Sequence, residues 1–160
     1  YQRLQLKYHC TQHLYVAIGL KLHIMKAEFI DFGITDSKGN SSTVIVKGEE
    51  FTIKEKIKMN ETIKDPIFTW TIKDKRGVEL TGTNTMLEKI DTGVGSKGRI
   101  YDVSFTQKMR LQGGEYLLSM SCTSFEGDEL KVHHRMYDVI SLTVIINTLA
   151  LKIKTLDDMI

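Results

Sequence analysis

Apolar and polar residues alternate with a period of two between Phe51 and Met59. Phe51, Ile53, Ile57 and Met59 fall on one side of an extended chain, and Thr52, Lys54, Lys56 and Lys58 on the other. Successive side chains of a strand point to opposite faces, so this pattern builds a sheet with one buried and one wet face. Helical spacing is absent. The same period recurs at Ile67 to Lys73, where Phe68, Trp70 and Ile72 oppose Thr69, Thr71 and Lys73. Tyr101, Val103 and Phe105 share one side of a further run, and Tyr116, Leu118, Met120 and Cys122 one side of another.

Turn signals divide these runs. Ala27 to Thr35 stops at Asp36-Ser-Lys-Gly-Asn40, whose residue types accept positive φ angles and form local hydrogen bonds. A short run around Val44 to Val46 precedes Lys47-Gly48, and Pro66, the only proline, opens a strand where a missing donor does little harm. Asp74-Lys-Arg-Gly77 is a four-residue hairpin connection into Val78 to Asn84, and Phe125-Glu-Gly-Asp128 is another turn. Met136 to Ile146 is apolar on both faces, which predicts a strand covered on both sides or paired with another chain. About eight strands at this spacing predict an all-β chain folded as a two-sheet antiparallel β-sandwich over residues 27–146. Residues 147–160 form an extension that reads equally as a helix or one more strand.

The 160 residues suffice for one domain. The net charge is 22 − 20 = +2, yet Arg3, Lys7, Lys21 and Lys26 lie in an N-terminal segment, residues 1–26, that holds no acid. The rest of the chain carries 18 − 20 = −2. That balance speaks against a nucleic-acid partner, which calls for a basic face. Cys10 and Cys122 are too few and too far apart for a disulfide framework and read as free thiols. Leu14 to Leu22 is interrupted by Lys21 and is shorter than the roughly 20 residues of a membrane span, and the first 26 residues imitate a signal peptide poorly. These features together suggest a reducing, cytoplasmic setting.

Catalytic motifs are missing. Gly93-Val-Gly-Ser-Lys-Gly98 lacks the Lys-Ser/Thr pair of a phosphate-binding loop, and no H-E-x-x-H, C-x-x-C or G-x-S-x-G occurs. His9, Cys10 and His13 have a spacing that suits zinc on a helix, but no fourth ligand is near and an ordinary tail is the expected reading, with no metal assigned. His133-His134-Arg135 sits at the approach to the last strand, first as a solvated polar turn and second as a ligand contact. Trp70 shares a side with Phe68 and Ile72, so core packing is its first use, although an indole is also a stacking platform for a sugar ring. Thr69, Thr71 and Lys73 point outward, and the next strand sets Thr81, Thr83 and Thr85 opposite a packed Leu80 and Gly82. A threonine-rich face is good strand surface and also suits sugar hydroxyls.

The run Asp65-Pro-Ile-Phe-Thr-Trp-Thr-Ile-Lys-Asp-Lys-Arg-Gly-Val-Glu-Leu-Thr-Gly-Thr-Asn-Thr85 resembles the signature of the carbohydrate-binding C-terminal domain of Wzt-type ATPase subunits, from ABC exporters of O-antigen and related polysaccharides. Ala27-Glu-Phe-Ile-Asp-Phe-Gly-Ile-Thr-Asp-Ser-Lys-Gly39, Val46-Lys-Gly-Glu-Glu-Phe-Thr-Ile53 and Leu111-Gln-Gly-Gly-Glu-Tyr-Leu-Leu118 are similar to further family segments. The resemblance implies an immunoglobulin-like or jelly-roll sandwich that binds the exported glycan in the cytoplasm, at the inner face of the membrane, without catalysis or cofactor. It implies as partners a polysaccharide, an ATPase domain and the membrane subunits of the exporter, and a homodimer formed through the final strand. Asn84 and Thr85 carry over as motif residues, with turn capping the expected use of Asn84. The contact candidates are Trp70, Asn84, His133, His134 and Tyr137. Residues 1–26 match neither a linker nor an ATPase domain, so the chain looks like an excised binding module or a relative with a diverged N-terminus.

Two other functions compete. A glycoside-active enzyme on a jelly roll needs two carboxylates about 5 to 9 Å apart, and candidate acids such as Glu55, Asp74, Glu79, Asp102 and Glu115 are read as mostly strand-end or outward, with nothing to pair them. A purely structural dimerisation domain would need only the last strand.

Overall fold

A computed structural model describes residues 25–147; His9, Cys10, His13 and the remainder of the cationic segment up to Ile24, and the extension from Thr148, lie outside the described residues. The described chain is all-β, with ten strands and no helix long and apolar enough to cross a membrane. The strands are β1 (Ala27–Thr35), β2 (Val44–Val46), β3 (Glu50–Met59), β4 (Ile63–Lys64), β5 (Ile67–Asp74), β6 (Glu79–Asn84), β7 (Val94–Gly95), β8 (Ile100–Lys108), β9 (Gly114–Glu126) and β10 (Glu129–Ile145). Eight of them correspond to the runs that alternation and turn signals mark in the sequence. β4 and β7 are a two-residue ladder of their own.

Two sheets form the sandwich, a three-stranded one in the order β1-β3-β8 and a five-stranded one in the order β2-β10-β9-β5-β6. Every pairing is antiparallel except β2 with β10, which runs parallel over Thr143–Ile145. β2 reaches β10 by a long connection and not by a hairpin, which frees its direction. Inward residues of β3, namely Phe51, Ile53, Ile57 and Met59, are buried, as are Phe68, Trp70 and Ile72 of β5 and Leu118, Met120 and Cys122 of β9. Rings bridge the two sheets: Phe68 lies 5.0 Å from Tyr101 and Trp70 6.4 Å from Phe105, centroid to centroid. Truncating buried Phe68 or Trp70 to Ala would cost about 3–5 kcal/mol.

The turns form as their residues dictate. Asp36 Oδ1 accepts from Lys38 N–H and Asn40 N–H, both at 2.9 Å, and Gly39 takes φ = 81°. Asp74 Oδ1 likewise accepts from Arg76 N–H at 2.9 Å and Val78 N–H at 3.0 Å, with Gly77 at φ = 85°. At the N-terminal border the Lys26 carbonyl accepts from Asn60 N–H at 2.8 Å, so the packed unit includes residues ahead of Ala27.

Three details depart from the sequence reading. His133-His134-Arg135 is not a loop: the tight turn at Gly127 lets β10 pair with β9 from Glu129 onward, with the register shifting between Val132 and His134. Thr81 and Thr83 oppose Ile72 and Trp70 in register and therefore face the core side, while Leu80 is exposed. Of the two alternatives for the final run, cover on both faces is not met among the described residues, which leaves pairing with another chain. Met136, Ile140, Leu142 and Val144 are buried, whereas Tyr137 and Ile145 are exposed.

Candidate functional site

Between its inward residues β9 places Ser119, Ser121 and Thr123 on the outer face of the five-stranded sheet. They face away from the core, yet only 7%, 8% and 4% of their surface is exposed. Their side chains are short, and residues of both neighbouring strands flank them. Thr69 and Thr71 of β5 lie opposite Ser121 and Ser119, and Arg135 of β10 lies opposite Ser121 on the other flank. The result is a recessed floor of hydroxyl groups. Each hydroxyl is both donor and acceptor, which matches the mixed hydrogen-bonding of a polyol.

Tyr137 stands on the same outer face, next to Asp138, which is bonded to Ser119. The residue is 61% exposed, with Lys73 Nζ 5.2 Å and Arg135 Cζ 5.9 Å from the ring centroid. Since Lys73 is on β5 and Tyr137 on β10, the ring and its cation neighbour reach toward each other across β9. A backbone irregularity sets this position. The register between β10 and β9 shifts between Met136 and Ile140, and Asp138 takes φ = 53°, a left-handed conformation uncommon for a residue with a side chain. Ser119 holds it in place: Asp138 N–H donates to Ser119 Oγ at 3.0 Å, and Ser119 Oγ donates to Asp138 Oδ1 at 3.2 Å. An exposed aromatic ring beside small hydroxyls can stack on a sugar face while the floor bonds its hydroxyls.

The five contact candidates are not brought together. Tyr137 stands on the outer face, and Asn84, opposite Thr69 in register, lies at its β6 margin. Asn84 Oδ1 accepts from Leu87 N–H at 2.8 Å and so caps the turn that follows. Trp70 packs in the core with 1% exposure. His134 also points inward, its Nδ1 accepting from Phe29 N–H at 3.1 Å and its ring 5.4 Å from that of Phe29; burial holds its pKa below the ordinary value. His133 is buried at the far end of the β9–β10 hairpin, where Nε2 meets Ser124 Oγ at 2.7 Å, and burial followed by the charge of Lys26 lowers its pKa. Thr85 is buried too, its hydroxyl accepting from Phe68 N–H at 3.1 Å.

The serine and threonine floor of β9 is the part that the sequence reading missed. Its signal is the alternate placing of Ser119, Ser121 and Thr123 between Leu118, Met120 and Cys122.

The five acids weighed for glycoside chemistry lie on separate elements. Glu55 is buried in the core with both oxygens unpartnered, which corrects its reading as an outward or strand-end acid, since its parity is that of Ile53 and Ile57. Asp74 is held in its turn by the Val78 N–H and then by Arg76, which lower its pKa, and Glu115 pairs with Lys75, which lowers its pKa as well. Asp102 lies 3.8 Å from Lys56, and Glu79 opens β6 in an exposed position. Among the described residues no group of three His, Cys, Asp or Glu side chains is placed to hold a metal ion.

Known proteins were compared with this chain. A family model described as the Wzt C-terminal domain matches residues 25–152, and one described as the acyloxyacyl hydrolase C-terminal domain matches residues 1–35. No curated protein matches it. The crystal structure of the C-terminal domain of Wzt superposes with a TM-score of 0.69 at 23% identity, over 75% of this chain and 74% of that one. The CARDB domain of the PF1109 protein from Pyrococcus furiosus, in complex with di-metal ions, superposes less well, with a TM-score of 0.44 at 11% identity over 74% of this chain and 90% of that one.

Proposed function

The chain belongs to the Wzt C-terminal domain family, and on that premise we propose that it is a non-catalytic carbohydrate-binding module that recognises an O-antigen-like cell-surface polysaccharide for export by an ABC transporter. Its polymer lies along the outer face of the five-stranded sheet. The observation that carries this reading is the exposed Tyr137 on the same sheet face as the hydroxyls of Ser119, Ser121 and Thr123. Asn84 borders the same face, whereas buried Trp70 and inward-pointing His134 lie on the other side of the sheet. The partners on this reading are an ATPase domain and the membrane subunits of the exporter, which would hold the module at the cytoplasmic face of the membrane. A homodimer through β10 is part of the same proposal. β2 occupies one edge of β10 only over Thr143–Ile145, so a length of strand edge before it is open to pairing.

Titration with polysaccharide from the native host, followed by 1H–15N correlation spectra, tests the reading. Saturable shifts are expected at Ser119, Ser121 and Tyr137, with the response lost or reduced at least several-fold in Tyr137→Ala. Silence toward the authentic polymer would sink the proposal. Affinity for one site should be weak, and a dimer would raise it through avidity.

A further inference from the structure

β8 is the last strand of the three-stranded sheet, and among the described residues no strand pairs with its outer edge. Its inward residues record the missing neighbour: Tyr101, Val103 and Phe105 are only half-buried, whereas Phe51, Ile53 and Ile57 on the adjacent β3 are buried. Across the core β8 faces β5, through the contacts of Phe105 with Trp70 and Tyr101 with Phe68, and a cleft of about 610 Å³ opens between β8 and β6. A strand edge with unpaired N–H and C=O groups beside half-covered apolar side chains is a template for one more strand. Two other edges suit it less. On β1, Phe29 N–H donates to His134 Nδ1 at 3.1 Å and the Ile34 carbonyl accepts from Ser42 N–H at 3.0 Å. β6 turns Thr81 and Thr83 inward and so offers no apolar strip.

The sequence ahead of the described residues carries the matching pattern. Leu14, Val16, Ile18, Leu20, Leu22 and Ile24 occupy every second position, with Tyr15, Ala17, Gly19, Lys21 and His23 between them. Such alternation gives an extended chain one apolar face. Charge matches as well. Residues 1–24 hold Arg3, Lys7 and Lys21 and no acid, while Glu88, Asp91 and Asp102 stand at the rim of the cleft with Arg99. Counting Lys56, 3.8 Å from Asp102, three carboxylates outnumber two cations there. Position also fits. The Asn60 side-chain amide donates to the Met25 carbonyl at 3.0 Å, Asn60 N–H to the Lys26 carbonyl at 2.8 Å, and Met59 N–H to the Arg99 carbonyl at 2.8 Å, so the chain enters the sandwich at the end where β8 begins. From β1 the free edge of β8 lies three strand spacings away, about 14 Å, and residues 19–25 span up to about 23 Å when extended.

We propose that residues 11–18 dock along the outer edge of β8 of their own chain, as a fourth, antiparallel strand of the smaller sheet that closes the cleft. An entry at the start of β8 dictates the antiparallel direction. Opposed residues of a ladder share a face, so Ile18, Val16 and Leu14 lie beside Tyr101, Val103 and Phe105, and Cys10 comes level with Met109, just past the end of β8. Lys21 stays at the carboxylate rim.

A nitroxide on Cys10 of the full chain tests the docking, since the other thiol, Cys122, is buried. In 1H–15N spectra the amide signals of Lys108 to Arg110 are expected to lose intensity at least several-fold more than those of Phe125 to Asp128, which lie at the opposite end of the sandwich. A mixture of nitroxide-bearing chain at natural isotope abundance with unmodified 15N-labelled chain should show no such loss. Val16→Asp combined with Ile18→Asp should abolish the loss, with the β9 amide signals unmoved, whereas Ala17→Lys, on the opposite face, should retain it. Undiminished signals from Lys108 to Arg110, a loss passed between chains in the mixture, or a loss that survives the double substitution overturns the proposal.

Discussion

Glu55 carries a carboxyl group into the middle of an apolar core, and neither of its oxygens finds a hydrogen-bond partner. Burial pushes its pKa well above 4.5, so the folded domain holds it as the neutral acid; the Cys122 thiol is pushed up to about 12, first by burial and then by Glu55. An unfolded chain releases the Glu55 proton near its ordinary value while the folded chain retains it. Stability is therefore fully present below about pH 4.5 and is lost as pH rises toward the folded value, with a limiting slope of about 1.4 kcal/mol per pH unit. His134 acts in the opposite direction: its pKa is depressed by burial, so its contribution is present above 6.5 and is lost as pH falls. Glu55→Leu removes the first effect and keeps the second. We expect this variant to be more stable by about 1–3 kcal/mol near neutrality, since an unpaired polar group leaves the core. Urea unfolding at pH 5 and pH 8 measures it: the gain must be larger at pH 8, and an equal gain at both values would refute the assignment.

The pairing of β5 with β6 depends on one residue without a side chain. A Cβ on Gly82 would lie 2.6 Å from the Trp70 carbonyl oxygen and 3.1 Å from Thr71 Cα, both backbone atoms with nowhere to move cheaply. Gly82→Ala should cost about 1–3 kcal/mol, read as a lower Tm together with faster amide exchange along β6. Unchanged exchange there would mean that the strands separate without penalty. Strand content was legible because alternation and turn residues are local signals, and Phe51 to Met59 and the Asp74 turn appear as their residues direct. Pairing is not local. The ladder between β5 and β6 shifts between Ile72 and Lys73, and that shift decides which way Thr81 and Thr83 face. The recess over Ser119 and Ser121 needs β5, β9 and β10 in register, which no single segment encodes. Tyr137 was legible as a residue, but its presentation rests on the left-handed Asp138, a non-glycine position that leaves no mark in the sequence.

At the scale of the whole molecule, charge determines what kind of polymer this surface can hold. The chain totals +2, and that excess comes from the four cations before Ala27, because the remainder sums to −2. Among the described residues the proposed binding face adds two cations near Tyr137, Lys73 and Arg135, both within 6 Å of its ring centroid. A protein that grips a polyanion gains most of its affinity by releasing counterions, and its affinity drops by about 10³ to 10⁵ between 50 and 200 mM salt when six to ten phosphates are contacted. This surface has no such row of cations. Ring stacking and hydrogen bonds to small hydroxyls depend little on ionic strength. Calorimetric titration of the host polysaccharide at low and high salt should therefore return nearly the same Kd, with a negative heat-capacity change from burial of the Tyr137 ring. A steep loss of affinity with salt would require the polymer to be held through its charges, and would move the binding surface from the outer face to the cationic segment before Ala27.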